Sequence, residues 1–402
     1  MTTLALELYR SAPRYLTARA VGERVPGLVS GPLAPMRLVN RKDVEPAGPG
    51  WARVRPLLSG ICGSDLATIA GRSSFYFSPL VSMPFTPGHE VVGELLDDLD
   101  DLGSGTRVAL EPVLSCVARG LEPMCENCAA GLTGRCDRVT AGHVSAGLQT
   151  GFCADTGGGW SRMFVAHRSQ LHPVPESFSD RKAVLVEPLS CAVHAALRAE
   201  IGPNADVLIV GAGTVGVLTT LAIRQLTRAG RVVAVAKYER QRSWARALGA
   251  TEVVSPSEAT NAVRRASHAM KLRPERGAPY LLGGVDVAID CVGSRSSLDL
   301  ALRATKAGGR VVLAGIPTEG VDLTPLWFRE LELVGAYTGA VERLGKERTH
   351  AFDLAIGLAG ENLIDGIVGA TYPLRRWREA IDHALAGGKL GTLKVAFDPR
   401  LD

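Results

Sequence analysis

Short apolar runs alternate with amphipathic segments of helical length from about residue 200 to about residue 340. The runs consist mostly of Val, Ile, Leu and Ala, as expected of parallel strands buried on both faces: "ADVLIVGAG", "GRVVAVAK", "TEVVSP", "VDVAIDCVG", "GRVVLAGI" and "LELVGAY". Between them, "YERQRSWARALGA" and "SRSSLDLALRATKAGG" predict helices, the second ending at Gly308 and Gly309. Six strands with right-handed crossovers predict a doubly wound α/β domain with a parallel sheet.

The first 180 or so residues have a different pattern, in which long loops rich in Gly and Pro separate short strand-like pieces such as "WARVRPLLS", "HEVVGELL" and "TRVALEPV". This predicts a mostly β domain with a partly irregular framework. Near the end of the chain, "RRWREAIDHALAGG" predicts a helix and "TLKVAFDP" a last strand. We expect this tail to return to the first domain, so that 1–186 and 342–402 form one domain and 187–341 the doubly wound domain.

Composition narrows the choice of partner. The 402 residues are 46% hydrophobic and 21% charged, as in ordinary globular proteins. A net charge of +4, from 45 Lys and Arg against 41 Asp and Glu, is too slight to indicate a nucleic-acid partner. We therefore expect a small-molecule ligand and no nucleic acid.

Two apolar segments could be mistaken for membrane or export signals. The N-terminal "MTTLALELYRSAPRYLTARA" lacks a basic leader and carries Glu7 inside its apolar stretch, which is not the pattern of a secretory signal. "VLIVGAGTVGVLTTLAI" is long enough to resemble a membrane span, but its glycine spacing favours a buried βα unit. We expect a cytoplasmic protein without a membrane span.

A dinucleotide fingerprint follows the first strand of the α/β domain. Gly211 permits the tight turn, Gly213 lets the backbone approach a diphosphate, and Gly216 lets the helix pack on the strand. The free N–H groups at the helix start, at Thr214 and Val215, favour an anion. The alternative is a glycine-rich turn without a ligand.

The second strand bears on the choice of cofactor. An acidic residue at its end would bind the adenosine 2′-hydroxyl of NAD(H). This chain has Ala236 there, followed by the cations Lys237, Arg240 and Arg242. NADP(H) is therefore favoured over NAD(H), unless these charges only form the solvated face of the next helix.

Four cysteines lie within "CVARGLEPMCENCAAGLTGRC", at Cys116, Cys125, Cys128 and Cys136. Such a cluster can be a disulfide knot, a catalytic metal site or a metal site that only stabilises a loop. A reducing cytosol favours a metal site over disulfides.

A second set of metal-binding residue types is dispersed along the chain. Cys62 lies in "GICGSDLA", His89 and Glu90 in "PGHEVVGE", and Glu187 in "LVEPLSCAVHA". One thiolate, one imidazole and one or two carboxylates suit a catalytic zinc that keeps a position open for water or substrate. An isolated Cys or His is, however, often only a core residue.

Seven stretches together resemble the zinc-dependent medium-chain dehydrogenase/reductase superfamily, nearest its alcohol, polyol and threonine dehydrogenase branches. They are "GICGSD", "GHEVVGE", the cysteine lobe, "VEPLSCAVHA", "VLIVGAGTVG", "VDVAIDCVG" and "GTLKVAFDP", in the family's order and over nearly the whole chain. The resemblance implies a GroES-like catalytic domain from the two chain ends, including a cysteine lobe at about 111–140, and an inserted Rossmann domain. A homodimer or homotetramer is expected.

The resemblance also implies residue roles. Cys62 and His89 would bind the catalytic zinc with Glu187, while Glu90 either ligates zinc directly or exchanges with water. Asp65 would hydrogen-bond the ring of His89. The implied reaction is hydride transfer between an alcohol carbon and the nicotinamide.

Two departures from the family affect these roles. Ser64 matches the hydroxyl that passes the alcohol proton outward, but Ala67 replaces a frequent histidine, so we expect the proton to leave through water or a cofactor ribose. The cysteine spacing C-x8-C-x2-C-x7-C differs from the family's C-x2-C-x2-C-x7-C by an insertion after Cys116. We expect Cys116 still to reach the metal, giving one catalytic and one structural zinc per chain; the alternatives are a three-coordinate site or none.

Substrate cues in the sequence are mixed. Phe75, Tyr76 and Phe77 suggest room for more than a small alcohol, whereas the glutamate at the third zinc position resembles polyol and sugar enzymes. We expect a secondary alcohol or ketone of moderate size, including polyols and sugar-like compounds. A zinc-free quinone or enoyl reductase of the same fold, or a non-catalytic binding protein, stays as the alternative.

Three further residues are of types that often occur in active sites. His194 is predicted to be structural rather than catalytic. His143 and Cys153 lie in a glycine-rich segment and receive no role.

Overall fold

The computed structural model describes residues 2–21, 27–31 and 34–402. The chain forms two compact units: the first consists of Met1–Glu187 and Ala359–Asp402, and the second of Pro188–Leu358. The sequence pattern placed the second crossing at 341/342, whereas residues 342–358 belong to the second unit. One contact connects the start of this segment to the second unit: the carboxylate of Glu342 lies 2.6 Å from Nδ1 of His194, a residue of that unit. This contact gives His194 the structural role expected of it.

Strands dominate the first unit. Its strands are β1 (Thr2–Leu8), β2 (Met36–Lys42), β3 (Trp51–Gly60), β4 (Val91–Leu95), β5 (Arg107–Leu110), β6 (Phe164–His167), β7 (Leu171–Pro173), β18 (Val368–Tyr372) and β19 (Lys394–Phe397). Its helices are α1 (Ala12–Val21), α2 (Gly27–Ser30), α3 (Gly63–Ile69), α4 (Glu126–Ala129), α5 (Asp180–Ala183) and α13 (Trp377–Leu390), and α6 (Val186–Arg198) begins in it.

The main sheet of this unit has the order β18-β19-β3-β4-β5-β7, with β6 also paired to β3. β19 runs antiparallel to β3, with Ala396 opposite Gly60. The tail of the chain therefore returns to the first unit, and it does so beside the strand that leads to Cys62. The rings of Trp160 and Phe397, both fully buried, pack 5.0 Å apart in the core below.

The second unit is an open parallel sheet with helices. Its sheet strands are β8 (Val207–Val210), β9 (Val232–Val235), β10 (Glu252–Val254), β13 (Val285–Asp290), β14 (Thr305–Leu313) and β15 (Glu332–Gly335). Two small ribbons pair β11 (Met270–Leu272) with β12 (Tyr280–Leu282) and β16 (Val341–Leu344) with β17 (Glu347–His350). The remaining helices are α7 (Thr214–Leu226), α8 (Glu239–Ala247), α9 (Ala259–Ser267), α10 (Arg295–Ala304), α11 (Thr324–Phe328) and α12 (Ala351–Glu361), the last crossing into the first unit.

The strand order β10-β9-β8-β13-β14-β15, with every pair parallel, confirms the predicted doubly wound fold. This order reverses between β8 and β13, the place where such sheets bind ligands at the carboxyl ends of their strands. None of the described helices combines the length and apolar character needed to cross a membrane.

One predicted helix end is wrong. α10 ends at Ala304 rather than at Gly308 and Gly309, and Oγ1 of Thr305 donates to the carbonyl of Ala301, 2.7 Å away. The two glycines instead lie inside β14, opposite a shift in the β13–β14 register, where Gly308 has a φ of +67°. A positive φ favours glycine in an irregular strand as well as after a helix, and the sequence does not separate the two cases.

Candidate active site

Three of the four dispersed ligand candidates, Cys62, His89 and Glu90, lie close together at one end of the paired strands β3 and β4 of the main sheet. β3 ends at Gly60 just before Cys62, and its antiparallel neighbour β4 begins at Val91 just after His89 and Glu90. Ligand atoms of Cys62, His89 and Glu90 all lie within 4.8 Å of one another. A thiol, an imidazole and a carboxylate this close, largely removed from solvent, form a donor set that fits zinc.

Helix α3 helps to orient this group. Cys62 caps the helix, and its N–H donates to Oδ2 of Asp65 over 2.9 Å. Oδ1 of Asp65 lies 3.5 Å from Nδ1 of His89, and both atoms are buried without another hydrogen-bond partner. Burial alone would lower the pKa of His89, but the charge of Asp65 and then Cys62 outweigh it and raise that pKa well above the ordinary value. The geometry fits the expected support of His89 by Asp65.

Glu90 has a partner that the sequence did not reveal. Nζ of Lys394 donates to both carboxylate oxygens of Glu90, at 2.6 and 2.5 Å, and to the carbonyl of Ile61 at 3.3 Å. The two side chains are only 4% and 1% exposed, so this is a buried ion pair. The one available signal was a lone lysine inside the otherwise apolar "LKVAF".

Glu187 and Ser64 lie around this group. Glu187 is in the first turn of α6 and 6% exposed, but its carboxylate does not join the 4.8 Å group formed by described residues. Oγ of Ser64 is 3.5 Å from Nε2 of His89. The ring of Phe152, to which sequence reasoning gave no role, lies 5.9 Å from that of His89.

The four lobe cysteines also come together. All four sulfur atoms lie within 4.8 Å of one another, and those of Cys116 and Cys136 are 3.7 Å apart. Zinc bonded to sulfur at about 2.3 Å in a tetrahedron separates its ligands by about 3.8 Å, so the spacing fits the ion. The insertion therefore does not keep Cys116 away from the others, and no disulfide joins any described cysteine.

The surroundings of the lobe cysteines shift their pKa values in different directions. Burial raises the pKa of Cys125, but backbone N–H groups near Asp137 and Cys128 lower it, to about 7. Burial raises the pKa of Cys128 and of Cys136. A metal held by all four sulfurs would have no open position, so such a site would stabilise a loop rather than perform chemistry.

The fingerprint glycines have distinct surroundings at the end of β8. Gly211 has a φ of +97°, which supports the tight turn. A Cβ at Gly216 would lie 1.9 Å from the carbonyl oxygen of Gly211, so only glycine lets α7 pack this closely. A Cβ at Gly213 would meet no atom within 4 Å, so the space in front of the helix start is open for a diphosphate. Thr214 and Val215 form the first turn of α7 behind it.

The predicted cations follow β9. Lys237 and Arg240 are exposed and, among the described residues, have no carboxylate within 4.0 Å; each lies over an aromatic ring, of Tyr238 and of Trp244. Arg242 pairs only loosely with Glu239, at 3.7 Å, and its Nε donates to the carbonyl of Ala236. This leaves positive charge available where an adenosine 2′-phosphate would be bound.

The two unassigned residues of the glycine-rich segment are not members of the group that Cys62, His89 and Glu90 form among the described residues. His143 is exposed and its backbone N–H donates to the carbonyl of Arg119. Cys153 is fully buried, and burial raises its pKa.

Comparison with known proteins matches both units. Residues 48–176 match the family model of the alcohol dehydrogenase GroES-like domain, and residues 193–354 that of zinc-binding dehydrogenases. The L-idonate 5-dehydrogenase of Vitis vinifera is 33% identical over 297 residues, 72% of this chain and 74% of that protein. The sorbitol dehydrogenase of Arabidopsis thaliana is 33% identical over 310 residues, 74% of this chain and 78% of that protein.

Solved structures share the fold. A zinc-binding dehydrogenase from Sinorhizobium meliloti, solved with NADP bound, superposes with a TM-score of 0.72 at 24% identity. The match covers 99% of this chain and 100% of that one. At this identity the likeness shows the fold alone.

Proposed function

Because the chain belongs to the GroES-like, zinc-binding alcohol dehydrogenase family, whose members oxidise or reduce at CH–OH groups, we propose that it is a zinc-dependent polyol or secondary-alcohol dehydrogenase that uses NADP(H). The approach of Cys62, His89 and Glu90 to within 4.8 Å carries the proposal. The names of the relatives, L-idonate and sorbitol dehydrogenases, support polyols and sugar derivatives as the substrate class.

The proposed zinc, when bound, polarises the oxygen of the alcohol or ketone. Cys62 and His89 hold it, and Asp65 keeps the ring of His89 in one orientation. Glu90 and Glu187 are the two candidates for the carboxylate ligand: Glu90 is already within reach but engaged by Lys394, and Glu187 is nearby and buried. Glu187→Gln is compared with the double variant Glu90→Gln/Lys394→Met, which leaves no buried charge without a partner. Loss of the catalytic zinc in one of these folded variants identifies the ligand.

Ser64 is proposed to accept the alcohol proton and pass it to water or a cofactor ribose. We expect Ser64→Ala to lower kcat by about 100-fold, the scale of a lost acid–base group, while the zinc content stays unchanged. Steady-state kinetics with a polyol substrate measure this. An unimpaired kcat removes Ser64 from the mechanism.

The cations after Ala236 support the NADP(H) preference. We expect kcat/KM to be higher for NADPH than for NADH, and Ala236→Asp to reverse the order because a carboxylate repels the 2′-phosphate. The reversal should be on the order of tenfold or more in the ratio, equivalent to about 1.4 kcal/mol. A clear NADH preference of the unaltered protein would overturn this part of the proposal.

The whole proposal is tested by a screen of purified protein. Polyols, other secondary alcohols and their ketones are offered with each nicotinamide cofactor, and absorbance of the reduced nicotinamide is followed. Metal analysis of the same sample should find zinc at both sites. Zinc-free protein that reduces quinones or enoyl compounds would support the alternative reductase instead.

A further inference from the structure

One arginine in the lobe insertion is completely buried. Arg119 lies between Cys116 and Cys125, inside the segment that makes this loop longer than the family's, and its exposed fraction is 0%. Its guanidinium donates to backbone carbonyls at 2.6 to 3.3 Å, those of Leu114, Ala141, Val144, Ser145 and Gly147.

These carbonyls belong to the two segments that flank the lobe. Leu114 lies two residues before Cys116, and 141–147 follow shortly after Cys136. The side chain of Arg119 thus connects the segment before the lobe to the segment after it. In the sequence, these segments lie on either side of Cys116 and Cys136, whose sulfur atoms are 3.7 Å apart. A longer loop costs little extra closure entropy, but it does not fix where its ends lie. The hydrogen bonds of Arg119 do fix them.

The backbone around Arg119 strengthens this connection. Its carbonyl accepts from the N–H of His143 over 3.1 Å, and a Cβ at Gly142 would lie 2.4 Å from the same oxygen. The preceding carbonyl, of Ala118, accepts from Nε1 of Trp51 over 3.1 Å. The insertion is therefore an integral part of the unit's packing.

The positive charge of Arg119 is buried together with the rest of its side chain. None of its described hydrogen-bond partners is a carboxylate, and burying a cation without a counter-charge is costly. Burial accordingly lowers the pKa of Arg119.

We propose that Arg119 is the positioning residue of the lobe, because the hydrogen bonds of its guanidinium join the two ends of the enlarged loop that holds the four cysteines. This rests on the proposed structural zinc. The insertion, which puts Cys116 in doubt when only the sequence is considered, thereby provides its own means of holding that cysteine in place.

The test measures zinc release from Arg119→Met and Arg119→Lys to a coloured chelator. The release phase that Cys128→Ser abolishes is assigned to the lobe. Arg329→Met is the matched control, because Arg329 is also buried, at 6% exposed, and also donates to carbonyls, those of Leu281 and Gly283, but it lies in the second unit. Circular dichroism and thermal unfolding ensure that release is compared among folded proteins.

We expect the Met variant to release the lobe zinc about tenfold to a hundredfold faster, as for other residues that support metal ligands, and the Lys variant to be intermediate. Arg329→Met should release it at the unaltered rate. The inference is overturned if Arg119→Met has the unaltered rate, or if Arg329→Met accelerates release equally. If the unaltered protein shows no phase that Cys128→Ser removes, the structural zinc itself is wrong, and the inference falls with it.

Discussion

At the scale of single residues, the buried ion pair of Glu90 and Lys394 is expected to have the largest effect on stability. The two residues are 304 positions apart in the sequence, and their side chains are almost completely buried. Burial would lower the pKa of Lys394, but the charges of Glu90 and then Cys62 outweigh it and raise that pKa. A buried pair adds little net stability over apolar residues, yet breaking it leaves one charge uncompensated.

Lys394→Met should therefore lower the free energy of unfolding by about 3–5 kcal/mol. The double variant Lys394→Met/Glu90→Gln should be more stable than Lys394→Met alone, because the stranded carboxylate is gone. Urea unfolding of both single variants and the double variant measures the coupling between the two side chains. Strict additivity would show that the pair does not interact in the folded protein.

The same pair predicts a pH dependence. A lysine whose pKa is raised by folding contributes stability that is fully present below its unfolded pKa and is lost as pH rises through the folded value. The stability difference between the unaltered protein and the double variant should stay constant through neutral pH and shrink only above about 10.4, the ordinary lysine value. A difference that shrinks between pH 7 and 9 contradicts the raised pKa.

Site residues were predictable where they and their neighbours in the chain form a short recognisable motif. Cys62 and His89 lie in short motifs at the ends of strands that pair with each other, so their approach follows from local pattern. Lys394 has only the weak local signal of a lone cation in an apolar strand, and Arg119 has none. Both acquire their roles only when distant segments fold over them.

The turn from β8 into α7 separates two uses of glycine at the scale of elements. Gly216 is needed for packing, since a Cβ there would meet the Gly211 carbonyl at 1.9 Å. Gly213 has an ordinary φ of −72° and open space in front of it, so neither the backbone nor the packing requires glycine there, whereas the proposed diphosphate would.

Gly213→Ala should leave the melting temperature unchanged and weaken NADP(H) binding on the order of tenfold, equivalent to about 1.4 kcal/mol, because the methyl group occupies the diphosphate's space. Gly216→Ala should lower the stability by about 1–3 kcal/mol through overpacking. Calorimetry and fluorescence titration with NADPH distinguish the two. Unchanged affinity in Gly213→Ala would place the diphosphate elsewhere.

The six sheet strands of the second unit were predictable because they appear as short runs of mostly Val, Ile, Leu and Ala, and the central β8 and β9 are buried at every position. Element ends were less so: Gly308 and Gly309 suit a helix end and an irregular strand equally, and the Thr305 hydroxyl that ends α10 becomes visible only in the structure.

The chain passes twice between the two units, at 187/188 and at 358/359. Each proposed zinc site is built within the first unit, one across paired strands and the other inside a single loop. Loss of one metal should therefore have different effects from loss of the other.

Cys128→Ser should remove the lobe zinc and lower the stability of the first unit, while the folded fraction keeps its catalytic zinc and its kcat. Metal analysis, thermal unfolding and activity per folded molecule provide the measurement. Loss of kcat in fully folded protein would assign the lobe a catalytic role instead.

The pairing of β19 with β3 also sets an order of events during synthesis. The second unit is one continuous segment, so it can fold while the ribosome is still adding the residues that follow it. The sheet beside Cys62 acquires β19, and Glu90 its lysine, only after positions 394–397 have left the exit tunnel. The nascent chain can therefore fold its second unit before the group around Cys62 acquires its last neighbouring strand.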